Sequence, residues 1–386
     1  MKKMILSAVT ALTIGSLSAS ASDIKFYVDE NGQVFTTQAD GRTELKTKNT
    51  SVQAKTSKLK FSGVHYLGLT QKNVKEGDST TNFEFRRNYI QVKAYLLDDS
   101  KSYLRVTLDT SYTAKNDGHA DMYTKYAYIY LNNVLPFTGV EFGMAHRPWI
   151  DYEEHQGWGM RSISKVFSEA KEAGDLTNSA DLGVNFKTKT PYFTSEIGLF
   201  NGEGYHGEND TSGNVIGDGL SAEWRLTAAI MGNGISKRKV TKDIYFDASF
   251  FGQYNMNSAK NSGETYKIYG LHTVYNMPSF LVSAQYISAN SDLVNSTKYN
   301  GQGYSLNGTY RLGAKEEYSV FARYDVWENE NSTSGDIVTT ENNAVYGVAW
   351  RQNKNLKWLF SGQTYNIDET NDKDYSSAMI TAEVHW

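Results

Sequence analysis

From position 58 to the C-terminus the chain repeats one kind of segment, roughly 9 to 13 residues in which apolar and polar positions alternate. A period of two marks strands with one greasy and one wet face. Tyr304, Leu306, Gly308, Tyr310 and Leu312 alternate with Ser305, Asn307, Thr309 and Arg311. Tyr318, Val320, Ala322, Tyr324 and Val326 alternate with Ser319, Phe321, Arg323 and Asp325. In the last segment Ala378, Ile380, Ala382, Val384 and Trp386 share one face, opposite Met379, Thr381, Glu383 and His385. Helical periodicity is nearly absent.

The pattern predicts sixteen strands: 58–70, 82–97, 102–112, 122–132, 139–146, 180–187, 192–200, 222–231, 243–254, 266–276, 279–288, 303–312, 317–327, 343–351, 357–366 and 375–386. Connections after even-numbered strands are mostly tight, as at 98–101, 188–191, 277–278, 313–316 and 352–356. Those after odd-numbered strands are mostly longer, including 147–179, 201–221 and 328–342. Pro136, Pro191 and Pro278 fall in predicted turns and Pro148 opens the longest loop. A proline has no N–H to give to a ladder, and a closed barrel has no edge strand to tolerate one. Tyrosine and tryptophan gather near segment ends, at Tyr304, Tyr310, Tyr318, Tyr324, Trp327, Trp350 and Trp358, where an amphipathic ring meets a lipid–water interface. A soluble β-sandwich would alternate too, but it needs a denser supply of Leu, Ile, Val and Phe. The fold class is therefore all-β: a transmembrane antiparallel β-barrel of 16 strands, with short periplasmic turns and long outer loops.

Composition narrows the function. With no cysteine among 386 residues, disulfides and thiolate-held metals are excluded. The formal net charge is −4; without Lys2 and Lys3 the count is 37 basic against 43 acidic residues, a net of −6, which excludes nucleic acid as the main partner. Those two lysines, the apolar run 4–17 and Ala19-Ser20-Ala21 read as a signal peptide over 1–21. Residues 22–57 read as a periplasmic N-terminal extension with a chain reversal at Asp29-Glu30-Asn31-Gly32, and 58–386 as the barrel. The extension is too short for the plug of a TonB-dependent transporter.

Phe83-Glu84-Phe85-Arg86-Arg87, Ile90-Gln91-Val92-Lys93, Leu104-Arg105-Val106-Thr107-Leu108-Asp109 and Val140-Glu141-Phe142-Gly143 running into Arg147-Pro148 resemble a bacterial outer-membrane porin. The resemblance is greatest to the phosphate-selective porin O and P family and to epsilonproteobacterial porins. It implies a homotrimer in the bacterial outer membrane, passing ions and small hydrophilic solutes, with no cofactor. The final residue is Trp386 where such barrels usually end in phenylalanine, and no dense lysine or arginine ladder is present, so phosphate selectivity is not carried over. The last strand resembles the signal read by barrel-assembly machinery, with Trp386 as its terminal aromatic.

A sixteen-stranded barrel leaves a water-filled channel, so function depends on what narrows it. Loop 147–179 is the candidate constriction, as the loop that folds inward in the resembled porins. It carries Arg147, Asp151, Glu153, Glu154, Arg161, Lys165, Glu169, Lys171, Glu172 and Asp175, with a helix predicted over 163–173. Strand parity turns Arg87, Lys93, Arg105, Arg225, Arg311, Arg323 and Arg351 toward the lumen, because a charge facing lipid costs about 2–4 kcal/mol at the midplane. A basic wall opposite an acidic loop would set up a transverse field, with anions as the candidate preference.

The alternatives are a barrel enzyme and an adhesin. His65, His119, His146, His155, His206, His272 and His385 are scattered, with no repeated or closely spaced catalytic partner, and no catalytic or metal residue is assigned. Glu203, Glu208, Asn209, Asp210 and Asp218 offer oxygen ligands for calcium in loop 201–219, but without EF-hand spacing.

Overall fold

A computed structural model describes residues 27–30, 34–35, 37–44, 58–95, 97, 99–112, 120–202, 204–205, 219–232, 234–235, 238, 240, 242–256, 265–313, 316–368 and 374–386. The predicted signal peptide lies outside them. The chain divides into two compact units, 1–57 and 58–386. In the first, β1 (Tyr27–Asp29), β2 (Val34–Phe35) and β3 (Arg42–Glu44) form a small antiparallel sheet in the order β2-β1-β3. β1 and β2 pair antiparallel, Asn31 and Gly32 of the predicted 29–32 turn lie outside the described residues, and Arg42 lies 3.4 Å over the Phe35 ring.

The second unit is a closed barrel of sixteen antiparallel strands. They are β4 (Leu59–Val74), β5 (Ser79–Ala94), β6 (Tyr103–Tyr112), β7 (Ala120–Leu135), β8 (Thr138–His146), β9 (Ala180–Lys189), β10 (Phe193–Phe200) and β11 (Leu220–Gly232), then β12 (Tyr245–Met256), β13 (Tyr266–Met277), β14 (Phe280–Ser291), β15 (Gly301–Leu312), β16 (Tyr318–Glu330), β17 (Ile337–Arg351), β18 (Leu356–Ile367) and β19 (Tyr375–His385). Each predicted segment corresponds to one strand. All four prolines lie between strands. The rim asymmetry has exceptions: the β4–β5 connection on the long-loop side is only 75–78, and on the short-turn side the β5–β6 connection is 95–102 and the β11–β12 connection 233–244.

The outer face is apolar along most strands, with Phe61, Phe85, Leu104, Phe142, Leu182, Ile197, Leu271, Leu306, Val348 and Ile380 exposed. An exposed apolar surface that runs round a closed barrel is stable only in lipid. Tyr304, Tyr310, Tyr318, Tyr324 and Trp350 are exposed on it as expected, but Trp327 is not: it follows the inward parity of Arg323 and Asp325 and is 1% exposed.

Closure depends on β19 pairing with β4. The backbone of Trp386 extends that ladder, exchanging hydrogen bonds with Gly63 at 3.0 and 3.1 Å. Its indole lies across Gly63, where a Cβ would overlap the ring, and Nε1 donates to His65 Nε2 at 2.7 Å. Each backbone bond contributes on the order of 1 kcal/mol, so losing the residue weakens the seam where the barrel must shut. Deleting Trp386 should therefore lower the fraction of heat-modifiable folded barrel on a gel. Gly63→Val should reproduce the defect with Trp386 in place, and normal assembly of that variant would show that the seam does not depend on this contact.

Candidate functional site

Loop 147–179 lies against the inward face of the strands from β11 round to β19 and reaches β5. Trp149 stacks on Phe251 at 3.7 Å with planes 3° apart, Trp158 meets the edge of Phe321, and Phe167 meets Trp327. With Ile150, Ile163, Val166 and Leu176 they form one buried cluster with the inward-facing Ile268, Ile287, Val345, Leu359 and Met379. The interior is thus not uniformly wet. Phe321, on the polar face by strict alternation, is 2% exposed beneath the loop.

The loop backbone is held by guanidinium groups. Arg225 Nε donates to Pro148 O at 3.0 Å and Arg323 Nη1 to Lys165 O at 2.7 Å. Arg86 Nε and Nη2 donate to Ser162 O and Ile163 O, each at 2.5 Å, and Ser162 Oγ donates to Glu383 at 2.5 Å. The contacts at Ser162, Ile163 and Lys165 engage carbonyls that a helix over 163–173 would use, and that helix does not form. A helical turn at Ile150–Tyr152 runs into a wider turn at Glu153–Trp158, and Phe167–Glu169 makes a single 3-10 turn.

The predicted site residues accordingly separate by location. Arg147 is bidentate to Glu223 at 2.9 Å and buried, as are Arg225, paired with Glu196 at 3.0 Å, and Arg323, paired with Asp325 at 2.9 Å. Arg225 and Arg323 anchor the loop and are covered by it, while Arg147, at the loop's start, lies at the edge of a cavity among the long loops. Glu153 is also turned away from the passage, accepting from Trp149 Nε1 at 2.7 Å and Phe167 N at 3.3 Å. Arg311 caps Met277 O at 2.9 Å near the short-turn rim, where Arg351 is exposed.

The rest lie where the loop meets the β5–β8 wall. Arg87 on β5 lies 3.8 Å from Glu154 of the loop, and Glu154 also pairs with Arg161, which bonds Glu169 at 2.5 Å. Lys165 is 3.3 Å from Glu169. Arg105 donates to His146 Nε2 at 3.1 Å and Tyr128 at 3.2 Å, while Asp151 approaches His146 at 3.9 Å. On this wall the cations rest on tyrosines: Arg87 over Tyr89 at 4.4 Å, Arg105 over Tyr126 at 4.5 Å and Lys93 over Tyr103 at 4.7 Å.

Two inward cations escape strict parity. The β4–β5 register skips Arg86 and the β6–β7 register skips Lys125, so bulges turn both inward beside Arg87 and Tyr126. The charged doublet Arg86-Arg87 is the available signal, since strict alternation would send one arginine into lipid. Parity also passed over the chain His146–Glu141–Lys187–Glu196, linked at 3.0, 3.3 and 3.2 Å. The cavity between wall and loop on the long-loop side, about 370 Å³, is lined by Arg86, Arg87, Lys125, Arg161 and Lys165 against Glu84 and Asp109. On the short-turn side a cavity of about 520 Å³ has Arg311, Arg351 and Lys357 against Glu316 and Glu317, with His155. Both carry more positive than negative charge.

No family model matches the chain and no curated protein matches its sequence, so the resemblance to the phosphate-selective porins rests on the motifs above. Solved structures do match. OprB of Pseudomonas putida, in a high-pH structure, aligns with a TM-score of 0.61 at 11% identity over 88% of this chain and 97% of that one. An anion-selective porin from Comamonas acidovorans aligns at 0.59 and 10% over 85% and 99%. A trimer form of OmpT, an outer membrane protein of Vibrio cholerae, aligns at 0.54 and 15% over 85% and 99%. These identities establish the fold, and the apolar outer face requires a bilayer. The chain is a transmembrane β-barrel with the fold of outer-membrane proteins. Among its described residues no group of His, Asp and Glu is arranged to hold a metal, and the acidic residues of loop 201–219 lie outside them.

Glu153 links the barrel's docked loop to pH. Burial pushes its carboxyl up from 4.5 to about 7, against the pull of Arg323 and the Trp149 hydrogen bond. Between about pH 4.5 and 7 the docked loop therefore holds a proton that a released loop would lose, so docking weakens as pH rises through that window, by on the order of 3 kcal/mol. Protease cleavage within 147–179 of the folded barrel should be faster at pH 8 than at pH 5. Glu153→Gln should flatten the difference, and an unchanged difference would assign it to another group.

Proposed function

We propose that this barrel is a porin, a water-filled channel for passive diffusion of ions and small hydrophilic solutes, with loop 147–179 as its constriction. The observation that carries the reading is the Arg87–Glu154 contact, in which a wall cation and a loop anion face each other at 3.8 Å. Opposed charges there impose a field across the passage, which orients dipolar solutes and disfavours apolar ones. Lys93, Arg105 and Lys125 have tyrosine rings, and no carboxylate salt bridge, among the described residues. Together with the positive excess in both cavities, this supports a preference for anions.

On this reading residues 1–21 are a signal peptide that is removed and 22–57 a periplasmic extension. Trp386 and the last strand are read by barrel-assembly machinery. The trimer form of the Vibrio cholerae protein supports a homotrimer. A non-catalytic role is favoured over a barrel hydrolase because, among the described residues, no serine or threonine hydroxyl hydrogen-bonds to a histidine ring; His146 contacts Glu141 and Arg105.

Planar-bilayer recording tests the proposal. The purified protein should open discrete channels whose reversal potential in a salt gradient has the sign of anion preference. Arg87→Gln should shift the anion-to-cation permeability ratio down, and Glu154→Gln should shift it up, each by about twofold or more. Pure protein that inserts but does not conduct would overturn the channel reading. Identical reversal potentials in the wild type and both variants would remove these two residues from the constriction.

A further inference from the structure

Another cavity, of about 600 Å³, opens among the long loops; it shares Lys165 and Tyr205 with the cavity that holds Arg87, and Arg147, paired with Glu223, also lines it. Its size is in the range of sites that hold a small organic molecule. Tyr266 and Tyr299, stacked 4.1 Å apart, and Trp327 supply aromatic surface. Lys171 and Lys298 reach it from opposite loops, and neither has a carboxylate salt bridge among the described residues. Asp175 is the acidic residue in the lining.

The remaining lining is rich in hydroxyl and amide groups, among them Thr177, Asn178 and Thr297. Thr177 Oγ1 and Asn178 Oδ1 are buried with no hydrogen-bond partner among the described residues, which is costly unless something at the cavity supplies one. The wall is also shaped with care. Gly174 has φ +89°, a conformation that suits glycine, and a Cβ there would come within 2.7 Å of the Trp327 indole, so the loop turns closely around that ring.

We propose that this cavity binds a small polyhydroxylated anion, a sugar bearing one carboxylate or phosphate, before it enters the channel. The lysines would hold the charged group, the rings would pack against the C–H faces of the sugar, and Thr177 and Asn178 would pair with its hydroxyls. Charge alone would leave the hydroxyl and amide lining without a role. An aromatic anion would leave Thr177 and Asn178 unpaired. The proposal extends the channel reading, but binding can be measured without conductance.

The test uses the purified full-length barrel in detergent, with glucuronate, glucose 6-phosphate, glucose and inorganic phosphate as probes in equilibrium dialysis. Glucuronate and glucose 6-phosphate should bind saturably, and glucose and phosphate at least about tenfold more weakly. Lys171→Gln with Lys298→Gln should weaken both sugar anions about tenfold, and since both lysines are exposed the barrel should still fold. Thr177→Val with Asn178→Ala should bring glucose 6-phosphate close to phosphate. Equal binding of phosphate and glucose 6-phosphate by the wild type, or unchanged binding in the lysine variant, would overturn the site. In bilayers the sugar anions should interrupt current when added on the long-loop side. Binding without conductance would sink the channel reading and keep the site, whereas conductance without binding would do the reverse.

Discussion

The docking of loop 147–179 onto an apolar strip inside the barrel is the interaction on which the rest of the interior depends. A sixteen-stranded barrel is too wide for wall side chains to fill, so inward positions are expected to meet water. Phe251, Ile268, Ile287, Phe321, Leu359 and Met379 would then be wet hydrophobes. The loop covers them with Trp149, Trp158, Ile163 and Phe167, burying both partners. A loop segment also carries backbone carbonyls that must be satisfied once buried, and Arg86, Arg225 and Arg323 satisfy four of them. The loop fills the interior where it docks, and on the channel reading solutes pass between the loop and the wall that carries Arg87 and Arg105.

That asymmetry divides the arginines into two groups with different physics. Arg147, Arg225 and Arg323 are buried and paired with Glu223, Glu196 and Asp325, so their charges are largely spent on neighbours. Removing one partner would leave a buried charge uncompensated, which usually costs several kcal/mol. Arg105 rests on a tyrosine face, whose quadrupole attracts a cation without cancelling its charge, and Arg87 combines such a face with the looser 3.8 Å pairing to Glu154. On the channel reading, only this second group can act on a passing ion at close range. The net acidity of the chain therefore says little about selectivity.

The sixteen strands were legible because lipid enforces alternation on the outer face: each outward slip of a charge is penalised, so the period of two survives along every strand. The interior was only partly legible, because parity reports direction and not what lies opposite. Arg225 and Arg323 do point inward, as alternation predicts, yet they meet a loop and not water. Phe321 and Trp327 broke the expectation of a polar inner face for the same reason. The loop itself held a clue, since Trp149, Ile150, Trp158, Ile163, Val166 and Phe167 are too many large apolar groups for a segment bathed in solvent. Its abundant charges suggest an open acidic surface, whereas Glu153 is buried and Glu169 pairs with Arg161.

Arg86-Arg87 shows how one local irregularity serves both halves of the interior. In an uninterrupted strand one of the two would face hydrocarbon, at about 2–4 kcal/mol near the midplane, whereas a bulge leaves one residue out of the ladder. The bulge therefore wins, and both guanidinium groups enter the lumen from adjacent positions. Arg86 takes the carbonyls of Ser162 and Ile163, while Arg87 faces Glu154. The doublet thus fixes where the loop lies and sets the charge opposite it, so loop position and field are coupled through two neighbouring side chains. The bulge at Lys125 on β7 repeats the arrangement one strand beyond β6, which places four basic or aromatic groups, Arg86, Arg87, Lys125 and Tyr126, on a wall where alternation alone would supply two.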